Sequence, residues 1–229
     1  MKIYLLVEGD STEMYVYPFW LNYFLPSINQ YQDYEEFKSC DSGFHLFSGK
    51  GYPNILGEIQ NASKNINDIG NVDHFFIILD SDEDKVEDRK KLVQSTVNTI
   101  KLPDRVNLHI IIQNRCFETA LLANPKTMSR QPRNEPLISF VKYYNLIDND
   151  PEKMGNFSKK FTHSQFHTTY ANNALREKKI RYTKSNPRGI CTKDFLEEIL
   201  KRIDNTNHIS SFKEFFDRLK NIKSKLELV

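Results

Sequence analysis

Lys2 to Val7 (KIYLLV) is almost wholly apolar and does not alternate, the pattern of a strand buried on both faces of a parallel sheet. His74 to Leu79 (HFFIIL) and Val106 to Ile112 (VNLHIII) repeat it, and Phe44 to Phe47 is a shorter candidate strand. Between these runs the spacing turns helical. Ser11 or Thr12 can cap a segment that Pro26 stops after Leu25, and Pro53 suits the first position of a helix to about Asn67. Val86 to Lys101 reads as a third helix, and Phe117 to Ala123 as a short one closed by Asn124-Pro125. Residues 27 to 43 are polar and read as a connection, and Gly49-Lys50-Gly51 as a turn. Strand alternating with helix predicts an α/β fold: a Rossmann-like, mostly parallel sheet with helices on both faces. Beyond Pro125 the strand signal fades. Residues 126 to 136 are loop-like, then Leu137–Tyr144, His163–Lys179, Lys193–Ile203 and Ser211–Lys225 show helical spacing. A boundary near residue 125 follows, separating a sheet domain, 1–125, from a helical region, 126–229. The chain carries no internal repeat and no low-complexity tract.

Composition narrows the class. With 229 residues, 39% hydrophobic and 27% charged, the chain can bury a core, and wholesale disorder is not expected. No stretch approaches the ~18 apolar residues of a membrane-spanning helix, and the N-terminus enters a strand without the apolar region of a signal peptide. Cys40, Cys116 and Cys191 are few and irregularly spaced, as expected of reduced thiols in a cytoplasmic protein. The net charge of +2 is uneven: Lys159 to Arg202 holds 11 Lys/Arg against 4 Asp/Glu, so that stretch is +7 and the rest −5. An acidic part joined to a basic one suits a polyanion held by one half near acids on the other. The plainer alternative is solvated helix faces.

Polar side chains gather where the apolar runs end, and in open parallel sheets function collects at the carboxyl ends of strands. The first run ends at Glu8-Gly9, with Glu13 one turn into the next helix. The second ends in Asp80, Asp82 and Asp84 with Glu83 between, and the third in Asn114 and Arg115 with Glu118 beyond. On an extended backbone Asp80 and Asp82 would face the same way. Crowded carboxylates repel, and a divalent cation offsets that cost; all-oxygen donors favour Mg²⁺ or Mn²⁺. Gly9 would let the backbone turn sharply beside Glu8. The alternatives are an acidic helix N-terminus at Asp80–Asp84, favoured by the helix dipole, and a solvated strand end at Glu8. His163 and His167 share a helix face but lack a zinc pattern, and Cys116 lacks a base partner and reads as a small buried thiol. Tyr15, Tyr17, Phe19, Trp20, Tyr23 and Phe24 exceed what one helix face buries, so part of that surface could meet a partner or a second protomer in a homo-oligomer; core packing is the default.

With these residues together, the chain resembles the TOPRIM domain shared by topoisomerases, primases, recombination proteins and OLD-family nucleases. That family places Glu-Gly after its first strand and Asp-x-Asp after a later one, matching Glu8-Gly9 and Asp80-Ser81-Asp82, which Asp84 extends. The finer resemblance is to small stand-alone TOPRIM proteins of the OLD-like and RloB-like kind. VEGDSTE is similar to their Glu-Gly-x-x-Thr-Glu signature, with Glu13 as second acid. CFETALLANP is similar to their Phe-Glu-x-x-Leu-Leu element, with Glu118 as the acid. RYTKSNPRG is similar to a lysine-bearing segment that closes the site, with Lys184 as the match. The resemblance covers residues 1 to 125 well and the remainder loosely.

It implies a Mg²⁺-dependent endonuclease acting on DNA or on RNA such as tRNA, an effector of antiviral defence beside an ABC- or OLD-type ATPase. Asp80 and Asp82 would hold one ion; Glu8 would hold a second or accept the proton of the attacking water; Glu13, Asp84 and Glu118 would complete an acidic ring. Lys184 is the first candidate for a cation at the transition state and Arg115 the second, with a structural ion pair to Glu118 as the alternative for Arg115. Lys178, Lys179, Arg181 and Arg188 would grip phosphates, with Tyr170, Tyr182 and Phe195 either stacking on bases or filling the core. A non-cleaving TOPRIM-fold module that binds nucleic acid or an ATPase is the alternative reading. A transferase acting on a small molecule is a third, which the basic region disfavours.

Overall fold

The computed structural model describes residues 1–227. Four strands, β1 (Lys2–Val7), β2 (Gly43–Ser48), β3 (His74–Asp80) and β4 (Asn107–Gln113), form one parallel sheet in the order β2-β1-β3-β4. The register pairs Val7 with Ser48 on one side and with Ile78 on the other. The carboxyl ends of neighbouring strands therefore lie at one edge. All six residues of β1 are buried, as its unbroken apolar run requires. The helices of this part are α1 (Thr12–Phe24), α2 (Tyr34–Ser39), α3 (Asn54–Ile69) and α4 (Val86–Val97). Tyr4 and Leu6 of β1 and Phe75, Ile77 and Leu79 of β3 share one core with Phe37 of α2, Ile55, Ile59, Ala62 and Ile66 of α3 and Val93 and Val97 of α4.

The remaining helices are α5 (Glu118–Leu122), α6 (Leu137–Tyr143), α7 (His163–Glu177), α8 (Lys193–Thr206) and α9 (Ser210–Leu226), with short 3₁₀ turns at Pro125–Thr127 and Pro151–Lys153. Thr162 caps α7 in a reciprocal box with Gln165, and Thr192 caps α8 through the Phe195 amide. Phe140, Phe166 and Tyr170 form an aromatic cluster.

The chain divides into two compact units, and the division falls at strand ends rather than at residue 125. Among the described residues the sheet unit comprises residues 1–79, 86–112 and 217–227, and the second unit residues 80–85 and 113–216. Asp80 to Lys85 and α5 thus belong with the helical unit, because Asp80, Ser81 and Asp82 bond to residues 113–117 and to α7.

Two local expectations change. Residues 27–43 contain α2, whose single buried residue, Phe37, leaves no periodicity to read; Asp33 caps it by accepting the Glu36 amide. Ser11 stands at the N-cap of α1 without a capping bond, its hydroxyl donating to Asp10 instead. Among the described residues no helix is long and apolar enough to cross a membrane.

Candidate functional site

In the sheet unit, the end of β1 is met by the turn after β2. The Gly49 amide donates to the Val7 carbonyl (2.7 Å) and the Gly51 amide to the Glu8 carbonyl (2.8 Å). The Tyr52 amide donates to Glu8 Oε1 (3.2 Å). Lys50 and Gly51 both take positive φ, 58° and 80°, which turns successive amides the same way. The sequence showed a glycine turn but not that it cradles Glu8, since the two lie more than 40 residues apart. Gly9 does not sit in the left-handed region; a Cβ there would collide with the Glu13 carboxylate. Its role is space for Glu13, not the sharp turn expected of it.

In the second unit, Asp80 Oδ2 accepts the Phe117 amide (3.2 Å), which ties the end of β3 to the start of α5. Glu118, the first residue of α5, is 3% exposed. Lys184 Nζ lies 3.6 Å from Glu118 Oε1, and the Tyr182 hydroxyl donates to the same oxygen (3.3 Å). Burial pushes the Cys116 thiol well up, with the Glu118 and Asp80 carboxylates adding to the rise. Both acids therefore act on one sulfur atom, and Cys116 is held as an inert thiol.

Lys184 stands where it does because RYTKSNPRG folds into a tight turn. Thr183 and Asn186 exchange backbone hydrogen bonds (3.3 and 3.0 Å), and the Asn186 amide also donates to the Thr183 hydroxyl (3.0 Å). Lys184 follows Thr183 at the tip. Gly189 lies against the Arg181 carbonyl so closely that any Cβ would strike backbone.

The Asp82 expectation is corrected. The extended backbone ends at Asp80, and Asp82 has φ 50°, so the alternation that would align the two carboxylates does not reach it. Its Oδ1 accepts the Ser164 hydroxyl (2.9 Å), and its amide donates to the Arg115 carbonyl (2.9 Å). Glu83 accepts the His163 amide (2.6 Å) and faces His163 Nδ1 (2.7 Å). Asp82 and Glu83 thus tie the turn to the start of α7. Asp84 is exposed, its amide donating to the Ser81 carbonyl.

Among the described residues Arg115 is not paired with Glu118. It takes φ 69°, and its Nη1 donates to the Asp82 carbonyl (3.0 Å). Tyr170 and Phe195 are core residues, 0% and 7% exposed, so neither can stack on a base. In α1, Tyr17, Trp20 and Phe24 are buried and Tyr15 is 53% exposed, so the core takes most of that aromatic surface. His167 is buried against the Thr119 hydroxyl (2.8 Å), and burial lowers it to about 4, against the opposing pull of the Met154 backbone. Lys178 and Arg188 are exposed; Lys178 lines a cleft of about 630 Å³ with Arg176, Lys179, Glu135 and Glu177.

Carboxylate oxygens suit a hard cation. Yet among the described residues no three or more His, Cys, Asp or Glu side chains are gathered as a metal site, and Asp80 and Asp82 each accept a protein donor. The donor chemistry fits Mg²⁺ or Mn²⁺; the donors form no cage, and an ion that keeps several waters and is held by one or two carboxylates does not require one.

Comparison of the chain with family models, curated proteins and solved structures finds no match. The TOPRIM likeness therefore rests on the residues themselves.

Proposed function

We propose that the protein is a nucleic-acid phosphodiesterase of the TOPRIM kind that depends on Mg²⁺ or Mn²⁺. The observation that carries this reading is the pairing of the buried Glu118 with Lys184, 66 residues on in sequence, beside the Phe117 amide that Asp80 accepts. A buried carboxylate beside an exposed lysine is a costly arrangement to keep without a task, because the pair gains little in stability at a solvent-open site. A divalent cation would supply charge neutralisation and a nucleophilic water. The chain's own part is to position: the Phe117 amide orients Asp80, the Glu118 carboxylate holds Lys184 at the tip of its turn, and Lys184 brings positive charge towards a phosphate. Glu8, steadied by the Tyr52 amide, is assigned a part in the reaction by the TOPRIM likeness alone.

The test is incubation of the protein with plasmid, single-stranded DNA and total tRNA, each with Mg²⁺, Mn²⁺ or chelator. Products that require the cation are expected from at least one substrate. A gel shift without products, in the presence of either cation, would overturn the enzyme reading.

A second reading has an observation behind it. Asp82 and Glu83 already serve Ser164 and His163, so part of the acidic run has a structural use. This favours a non-cleaving module that binds nucleic acid or a partner ATPase, and the same assay separates the two.

A further inference from the structure

The last two turns of α7 and the segment that follows enclose a cleft of about 880 Å³. This lies within the ~300–1,000 Å³ typical of ligand sites. One wall is a stripe at helical spacing, Thr168, Asn172 and Arg176, with Lys179 beyond; the other runs from Ile180 to Asn186. Four cations line it, Arg176, Lys179, Arg181 and Lys184, and no acidic residue does. All four are exposed, and Arg176, Lys179 and Arg181 make no ion pair among the described residues. Like charges collected around one hollow repel and destabilise the unit unless an anion lies among them.

Lys179 carries a second mark. It stands just past the end of α7 with φ 59°, the left-handed position that closes a helix and that favours glycine. Its amide donates to the Arg176 carbonyl and the Ile180 amide to the Leu175 carbonyl, the paired bonds of that closure. A lysine at this position is strained where glycine would not be, and strain of this kind collects at functional sites. Tyr182, half-buried, lines the opposite wall while its hydroxyl reaches Glu118.

We infer that this cleft holds the backbone of single-stranded nucleic acid, with Arg176, Lys179 and Arg181 on successive phosphates, Tyr182 against a base, and the strand led towards Glu118 and Lys184. A single strand is favoured over a duplex because its bases are free to meet a side-chain ring such as Tyr182, whereas a duplex keeps them paired and stacked. The inference takes its kind of ligand from the function proposed above but does not need hydrolysis.

The test is fluorescence anisotropy of the full chain, in chelator, with a labelled single-stranded RNA or DNA of about ten nucleotides, within the span such sites cover. The expected result is binding to the single strand at least about tenfold tighter than to the blunt duplex of the same sequence, with affinity falling steeply in salt. The triple variant R176A/K179A/R181A is expected to lose affinity by about a hundredfold and to flatten the salt slope by about 0.7 per lost phosphate contact. Lys142→Ala, exposed on α6 and outside the cleft, is expected to change binding less than about twofold. Lys179→Gly separates function from folding: it should raise Tm by about 2–4 °C while weakening binding. An unchanged affinity in the triple variant, an equal or tighter duplex, or equal competition by a mononucleotide would each overturn the inference. Retained binding to a single strand without any cleavage in Mg²⁺ or Mn²⁺ would sink the enzyme reading and leave this one standing.

Discussion

The acids at two strand ends, Glu8 in the sheet unit and the Asp80–Glu83 run in the helical one, each include a carboxylate on a backbone amide but differ in what else holds them. Backbone amides of a turn that arrives from β2 meet Glu8: Gly51 bonds its carbonyl and Tyr52 its carboxylate. Asp80 bonds the Phe117 amide, and its neighbours Asp82 and Glu83 are bonded by side chains of α7. Backbone cradles are set by the path of the chain and tolerate changes of side chain; side-chain ties do not. Substitutions near Glu8 should therefore act chiefly through Glu8 itself, whereas the turn after β3 can be loosened from α7.

The largest effect expected is on chemistry, and it treats the two ends alike. Glu8→Gln and Asp80→Asn should each lower cation-dependent cleavage by about 10²–10⁴-fold, while circular dichroism and the unfolding midpoint stay near wild type. If one of them cleaves normally, that strand end leaves the mechanism and the two ends are unequal in function as well as in support.

Acid should weaken both units. His167 in the helical unit and His109 in the sheet unit are each lowered to about 4, first by burial; for His109 the neighbouring His74, 3.0 Å away, adds to the fall. The unfolded chain takes up these protons near pH 6.5, and the folded chain refuses them until about 4. The unfolded state therefore binds more protons within that window. The stability these histidines contribute is complete above pH 6.5 and lost as pH falls towards 4, roughly 3 kcal/mol for the fully buried His167. Urea titrations across this range measure it; His167→Leu should flatten the slope, and a slope unchanged by that substitution would assign the acid response to the sheet unit.

The two close-approach glycines give a sharper contrast. At Gly9 an added methyl meets the far end of the Glu13 side chain, which can swing away; at Gly189 it meets the Arg181 backbone carbonyl, which cannot. Gly189→Ala should cost about 1–3 kcal/mol in denaturant unfolding, and Gly9→Ala less than about 1 kcal/mol. Equal costs would mean that the Arg181–Gly189 segment yields as easily as a side chain.

The smallest effect concerns the tie between Glu83 and α7. Burial raises the Glu83 carboxyl, but hydrogen bonds from His163 outweigh it, so Glu83 lies below its usual value. Its contribution is present above the ordinary glutamate range near 4.3 and fades as pH falls through the lower folded value. The pair is partly exposed, so His163→Ala should cost no more than about 1 kcal/mol near neutral pH.

What could be read along the chain was whatever sequence neighbours decide. Unbroken apolar runs located β1, β3 and β4, and 3.6-residue spacing located α3 and α7–α9, because burial on both faces and on one helical face leave distinct patterns. The strand-end acids could be named for the same reason. The short helix α2 leaves no signal because one buried phenylalanine makes no period, and nothing local announces the positive φ of Asp82, a non-glycine residue. Arg176 lay inside the basic stretch yet was not singled out; its spacing from Thr168 and Asn172 on α7 was the available signal. The meeting of Lys184 with Glu118 depends on tertiary contact, and only the likeness to small TOPRIM proteins suggested it.

The most direct test of the central claim is a product time course on a labelled single strand, run with wild type and with Asp80→Asn, in Mg²⁺, in Mn²⁺ and in chelator. Cleavage by wild type with a cation alone, and none by Asp80→Asn in any condition, is the expected result. Products in chelator, or equal products from the variant, would contradict it.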